Sequence, residues 1–119
     1  MRITQSGPEF CRLSAQEGFV LINVPVTIVV EAGDSTNLML ISRMGSFEGR
    51  PEHMSVQGID AAPLPFRLPS KVFREGEHVT LLVFQMQQPA GPALLWTRHY
   101  EARWIDWLPQ LGPVLDGQE

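Results

Sequence analysis

Apolar residues alternate with other residues along the stretch from residue 20 to residue 30. The even-numbered positions of this stretch are all apolar, and all of them are β-branched: Val20, Ile22, Val24, Val26, Ile28 and Val30. Alternation with a period of two predicts a strand with one buried face. Pro25 interrupts the stretch and has no backbone N–H to donate, so we expect an edge position or a bulge at that point.

The segment after this strand carries a turn signal, EAGDST, and then a second apolar stretch, NLMLISRM, at residues 37–44. Two strands joined by a short polar turn predict a β-hairpin. Further along, DAAPLPFRLP at residues 60–69 contains three prolines. Proline fixes its own backbone and restricts the residue before it, so this segment is predicted to be extended and irregular.

Residues 78–87, HVTLLVFQMQ, are apolar on both faces of a predicted strand. Such a strand is expected to be central in its sheet or covered on both sides. The turn signal QPAGP follows, and residues 93–103 are predicted to form the strand that completes a second hairpin. Residues 104–108 are predicted to form a single helical turn that Pro109 ends.

About seven short strands separated by turns predict an all-β fold, an antiparallel β-sandwich or a small barrel, with a short C-terminal helical turn. The segment FREGEHVTLLVF, residues 73–84, resembles a turn and strand of immunoglobulin-like sandwiches. The sequence lacks the Cys, Trp and Cys spacing of antibody domains. The chain of 119 residues has the length of one domain, and we expect residues 1–119 to form one.

All three tryptophans and the only tyrosine lie in WTRHYEARWIDWLP, residues 96–109. On a strand, Leu94, Trp96, Arg98 and Tyr100 would share one face, which predicts that Trp96 is in the core. Trp107 lies beyond this strand and is predicted to be partly exposed, in a contact surface with Leu108 and Leu111. The predicted partner-binding residues are Arg98, Tyr100, Trp104, Trp107, Leu108 and Leu111. The alternative is that the aromatic residues close one end of the core.

The net charge of −4 argues against binding to a nucleic-acid backbone, which requires a basic surface. The N-terminal residues contain no apolar segment typical of a signal peptide, and the apolar run at residues 24–30 is too short to cross a bilayer. We therefore expect a cytoplasmic protein that does not bind membranes, with a virion component as the alternative. Cys11 is the only cysteine, so an intrachain disulfide is excluded.

Motifs for catalysis and metal binding are absent from the sequence. His53, His78 and His99 do not have the short spacing of common zinc sites, and Cys11 is expected to be a buried thiol. We predict no catalytic residue, metal ligand or cofactor, and EDTA is expected to leave the melting temperature unchanged.

These patterns favour a non-catalytic domain that binds a protein partner or its own copies, such as a bacterial or phage assembly or inhibitor component. One alternative is a small apolar ligand held in a cavity between the sheets, near the Trp-rich end. Another alternative is a hydrolase-type enzyme that uses His99 and Glu101, or Cys11.

Overall fold

The computed structural model describes residues 2–5, 12–30, 35–60, 63–87 and 91–113, and these residues confirm the all-β prediction. One short 3-10 turn, Ser70–Val72, is present, and the described ranges contain no α-helix. The described residues form eleven strands, numbered β1 to β11 in chain order: Arg2–Gln5, Arg12–Gln16, Phe19–Val29, Ser35–Met44, Phe47–Glu48, Glu52–Gln57, Ile59–Asp60, Pro63–Pro69, His78–Gln87, Gly91–Ile105 and Leu108–Pro113.

Strand β3 is the centre of the first sheet. Strands β1 and β2 pair with it on one side and β7 and β8 on the other, all antiparallel. On the first side, β2 pairs as far as Asn23 and β1 pairs from Val26 onward. On this side of β3, Pro25 therefore lies in the gap between the residues that pair with β2 and those that pair with β1. Its missing N–H group removes no hydrogen bond from either of these two pairings.

The second sheet has the order β11, β10, β9 and β4, and β5 and β6 pair with the far side of β4. Strand β9 is central, as predicted. The predicted hairpin between β3 and β4 is wrong, because these strands lie in different sheets. Both sides of β3 are already paired with other strands. The position of β4 in the other sheet sets the apolar faces of two sheets against each other, which buries more apolar surface than a hairpin alone.

Residues 63–69 form a regular strand, β8, so the prediction of an irregular segment is wrong. Pro63, Pro65 and Pro69 all fall on odd positions, and backbone N–H groups alternate in direction along a strand. The three proline nitrogens therefore point to the same side. Strand β8 is an edge strand among the described strands, pairing only with β3, so its prolines can face away from the ladder.

The two sheets pack face to face as a β-sandwich around one core. The even-numbered residues of β3 are buried, with Val20, Ile22, Val24 and Ile28 fully so. The second sheet contributes Leu38, Leu40, Val79, Leu81 and Val83 to the same core, and β8 adds Leu64, Phe66 and Leu68 beside the residues of β3. This arrangement explains the period of two in the sequence, because every second side chain of a strand points to the same face.

Polar contacts connect the sheets along one margin of the sandwich. The hydroxyl of Ser42, on β4, donates to the carbonyl of Arg67 on β8 at 3.0 Å. The Arg67 guanidinium also forms an ion pair with Glu52 on β6. Ser42 is the one buried polar residue of the described chain, and its hydrogen bond satisfies it inside an otherwise apolar interior.

The predicted helical turn at residues 104–108 is wrong. Strand β10 continues to Ile105, the chain turns at Asp106 and Trp107, and β11 returns antiparallel from Leu108. The helical spacing of the aromatic residues in this stretch also fits two paired strands, and the pairing of β10 with β11 decides between them. In the described ranges, no helix is long and apolar enough to cross a membrane.

Replacing Ile28 with Ala tests which face of β3 points into the core. Ile28 is fully buried and Thr27 is only half-buried. We expect Ile28→Ala to lower the free energy of unfolding by about 2–5 kcal/mol, because it empties a core site. The control Thr27→Ala should cost less than about 1 kcal/mol. Equal losses in chemical denaturation would contradict the assignment of the inner face.

Candidate functional site

A β-bulge at Leu95 decides which side chains of β10 reach the surface. Leu94 pairs with Phe84, but Trp96 pairs with Val83, so β10 has one extra residue between these pairs. Residues opposite each other on paired strands share a face. Leu94 therefore lies on the outer face with Phe84, and Trp96 lies on the inner face with Val83. The prediction that Leu94 and Trp96 share a face is wrong, because a bulge changes the alternation.

An apolar patch covers part of the outer face of the second sheet. Ile41 and Leu82 pair with each other and are buried, yet they do not belong to the core cluster. Leu94 is 53% exposed at the margin of the patch. Proteins rarely leave large continuous apolar areas on their surface, and such areas mark interaction sites. We define the apolar patch as Met39, Ile41, Leu82, Phe84, Met86 and Leu94.

A polar strip follows the apolar patch along the same outer face. His99 lies opposite Thr80, and Glu101 lies opposite His78. The strip consists of His78, Thr80, His99, Glu101 and Arg103.

The guanidinium of Arg103 lies over Gly112 on β11. A Cβ atom at position 112 would stand only 2.7 Å from Arg103 Nε, so a larger residue there would require the Arg103 side chain to shift. Arg103 Nη2 is also 4.0 Å from the Glu101 carboxylate. These contacts place the Arg103 side chain against β11 on the outer face, in the polar strip.

Beyond the polar strip lies the hairpin tip, residues 105–108, which joins β10 to β11. Ile105 and Leu108 pair with each other and are 53% and 58% exposed. Trp107 is 92% exposed. The sequence predicts exposure of Trp107 and Leu108, and the structure places both at the surface. The outer face of one sheet thus carries two apolar areas with the polar strip between them.

Backbone geometry makes the hairpin tip unusual. Asp106 and Trp107 both have positive φ angles, 51° and 67°. Two successive positive values between paired strands define a type I′ turn, in which the second position prefers Gly. A bulky residue in this left-handed region costs roughly 1–3 kcal/mol. Trp107 has almost no contact with the rest of the fold that would offset this cost.

Two of the residues predicted to bind a partner lie in the core. Tyr100 is 8% exposed and Leu111 is 7% exposed, and both belong to the core cluster. The sequence places Tyr100 on the same face as Trp96, and that face is the inner one. Leu111 pairs with the buried Ala102 on the inner face of the hairpin. These two residues are therefore excluded from the contact surface.

Trp104 is half-buried and its polar groups are already used within the fold. Its indole Nε1 donates to the Phe73 carbonyl at 2.8 Å, and its ring packs edge-on against the Phe73 ring. Its backbone N–H donates to the Glu75 carboxylate at 2.6 Å. Trp104 therefore connects β10 to the loop before β9, and only part of its side chain remains open to a partner.

Arg98 is exposed, but it comes from the inner face of β10. Its guanidinium carbon stands 4.8 Å from the centre of the Trp96 ring, and Nη1 donates to the Thr97 carbonyl at 2.8 Å. Trp96 itself is buried and stacks on Phe66, as expected for a core residue. Arg98 thus covers the margin of the core through a cation–π contact, away from the outer face.

The structure describes only some of the residues on which the alternative functions depend. His99 and Glu101 are on the open outer face, and Cys11 lies outside the described residues. An open cleft of about 330 Å³ lies between β8 and the segment around β5, lined in part by Phe19, Phe47 and Arg67. This cleft contains no tryptophan, so the expected cavity at the Trp-rich end is not the one found here.

No family model, curated protein sequence or solved structure matches this chain. Its function is therefore inferred from its own residues.

Sequence reasoning missed the apolar patch and Ile105. The patch had a signal, because residues 78–87 are apolar on both faces. One face fills the core, and the other must then be covered or exposed. Ile105 had no such signal, because the predicted helical turn placed it in a different conformation.

Substituting Trp107 tests the strain at the hairpin tip. Trp107→Gly should be more stable than Trp107→Ala by about 1 kcal/mol, because Gly adopts positive φ without the steric cost that Ala retains. The difference corresponds to a melting temperature higher by a few degrees. Both variants remove the same exposed ring, so equal melting temperatures would contradict a strained backbone at residue 107.

Proposed function

We propose that this chain is a non-catalytic protein-binding domain that contacts its partner through the outer face of the second sheet. The partner is another protein or a second copy of the chain. The observation that carries the proposal is Trp107, a large aromatic side chain that is 92% exposed on a backbone with φ of 67°. A residue kept in a costly conformation without any packing benefit indicates a role outside the folded monomer.

The composition of the outer face supports a protein partner. Tryptophan, phenylalanine and methionine are enriched at protein interfaces, and Trp is frequent among the residues that dominate binding energy. The apolar patch contributes Phe84 and two methionines, whose flexible side chains adapt to a partner surface. The hairpin tip adds the exposed ring of Trp107 between Ile105 and Leu108. These two areas would form the apolar contacts, and the polar strip between them would supply hydrogen bonds.

Charge favours a protein over a lipid surface. Helices and loops that bind anionic membranes usually place Lys or Arg beside their apolar residues. The residue next to Trp107 is Asp106, and the chain has a net charge of −4. An acidic neighbour would repel an anionic lipid headgroup, whereas it can pair with a basic residue of a protein partner.

The decisive experiment introduces a photo-crosslinking amino acid at position 107 in the cells that naturally make the chain. A discrete protein adduct is expected from position 107. The control places the same group at Glu17, which is also exposed but lies in the turn between β2 and β3 of the first sheet. Adducts of equal pattern from both positions, or none from position 107, would contradict the proposal. The mass of the adduct separates a second copy from another protein.

Binding should also separate two tryptophan variants. Trp107→Ala should weaken association by about 2 kcal/mol or more while the monomer stays folded, because it removes an anchor residue. Trp96→Ala should destabilise the monomer by roughly 3–5 kcal/mol, because it empties a large core site. Sedimentation velocity and thermal melts measure the two effects. If Trp107→Ala unfolds the chain and association is unchanged per folded molecule, Trp107 acts in the fold and not in binding.

A second candidate function is binding of a small ligand in the cleft beside Phe19 and Phe47. Its volume of about 330 Å³ lies at the lower end of the range of ligand sites. Arg67, whose guanidinium carbon lies 5.8 Å from the centre of the Phe19 ring, would supply a polar contact. Native mass spectrometry of the purified chain tests this function: a retained small molecule lost in Phe47→Ala would support it.

A further inference from the structure

Two histidines that are distant in the sequence meet on the outer face of the second sheet. His78 begins β9 and His99 lies on β10, and His78 Nε2 stands 3.2 Å from His99 Nδ1. They are not direct partners across the strands, because His99 pairs with Thr80 and His78 pairs with Glu101. The contact is thus diagonal across the polar strip, with ring centres 5.3 Å apart.

From this geometry we propose that His78 and His99 form a two-ligand site for a late first-row divalent metal ion such as Zn²⁺. Imidazole nitrogens bind zinc at about 2.0–2.1 Å, so two of them in a tetrahedral site stand roughly 3.3–3.4 Å apart. The distance in the structure is 3.2 Å. Little movement of the rings would bring both nitrogens to one metal ion. This inference does not depend on the proposed protein-binding function.

The surroundings of the pair suit metal binding better than a buried hydrogen bond. His78 is exposed and His99 is half-buried, so an ion can reach the facing nitrogens from solvent. The Thr80 hydroxyl lies 3.3 Å from His99 Nδ1 and restricts the orientation of that ring. Glu101, opposite His78, adds negative charge beside the site, although its carboxylate faces Arg103.

The proposed metal site has two protein ligands, His78 and His99. Among the described residues, no group of three or more His, Cys, Asp or Glu is placed to hold a metal ion. The histidine pair would therefore supply only two protein ligands. Water or a donor from a bound partner would complete the coordination, as in sites that keep open positions. Imidazole ligands favour Zn²⁺, Cu²⁺ and Ni²⁺ over Mg²⁺ and Ca²⁺.

Calorimetric titration of the EDTA-treated full chain with ZnCl₂ tests the site. We expect one Zn²⁺ per chain with a Kd tighter than about 1 mM, and no heat with MgCl₂. His78→Ala and His99→Ala should each weaken binding at least about tenfold, since even second-shell changes around metal ligands cost about that much. The matched control is His53→Ala, which removes the third histidine of the chain and should bind Zn²⁺ as the wild type does.

Repeating the titrations in a Cys11→Ser background distinguishes zinc binding by the histidine pair from zinc binding by the Cys11 thiol. Thiolate also binds zinc, so the series is repeated with Cys11→Ser. Binding that persists in Cys11→Ser and is lost in both histidine variants supports the site. The proposal is overturned if zinc shows no saturable binding, if His78→Ala and His99→Ala bind as the wild type does, or if Cys11→Ser alone abolishes binding. Circular dichroism of each variant confirms that the fold is retained.

Discussion

Burial of the even-numbered face of β3 is the constraint on which the other elements depend. This strand is the centre of the first sheet, and four strands pair along its two sides. Its inner side chains require an apolar surface opposite them, which β4 and β9 of the second sheet supply. Once those strands face inward with their own apolar residues, the remaining apolar residues of β9 must point outward. The apolar patch on the outer face is therefore a consequence of a strand that is apolar on both faces.

Strand β10 contributes side chains to both the core and the outer face of the second sheet. Trp96, Tyr100 and Ala102 face the core. Leu94, by contrast, lies on the outer face because of the bulge at Leu95, and Ile105 lies there because it pairs with Leu108. Natural proteins keep bulges and strained turns where a side chain must be directed to a particular place. In this chain, both devices direct apolar side chains toward the same outer surface.

Much of the fold could be predicted from the sequence, because alternation with a period of two reports burial directly. The inner face of β3, the central position of β9 and the burial of Trp96 follow from it. The position of Leu94 on the outer face of β10 could not be predicted, because one extra residue at Leu95 leaves no mark in the pattern. The hairpin at residues 105–108 was also missed, since type I′ turns are recognised by Asn-Gly or Asp-Gly, and here Trp occupies the second position.

Pairings between distant segments were the least accessible part of the candidate site. His78 and His99 are 21 positions apart, and only the register of β9 with β10 brings them together. The placement of β3 and β4 in different sheets could not be predicted for the same reason. Sequence patterns report how each strand is buried, whereas partner choice depends on which sheet edges remain open after other strands have paired.

The three tryptophans also give the molecule three separate optical reporters. Indole fluorescence depends on the solvent around the ring, and the three rings occupy a buried, a half-buried and a fully exposed environment. Emission from Trp96 would follow the integrity of the core, and emission from Trp104 would follow the docking of the loop that holds Phe73. Trp107 would report only events at the tip of the hairpin. A shift of its emission toward the blue, with the other two signals constant, would record the arrival of another molecule without any added label.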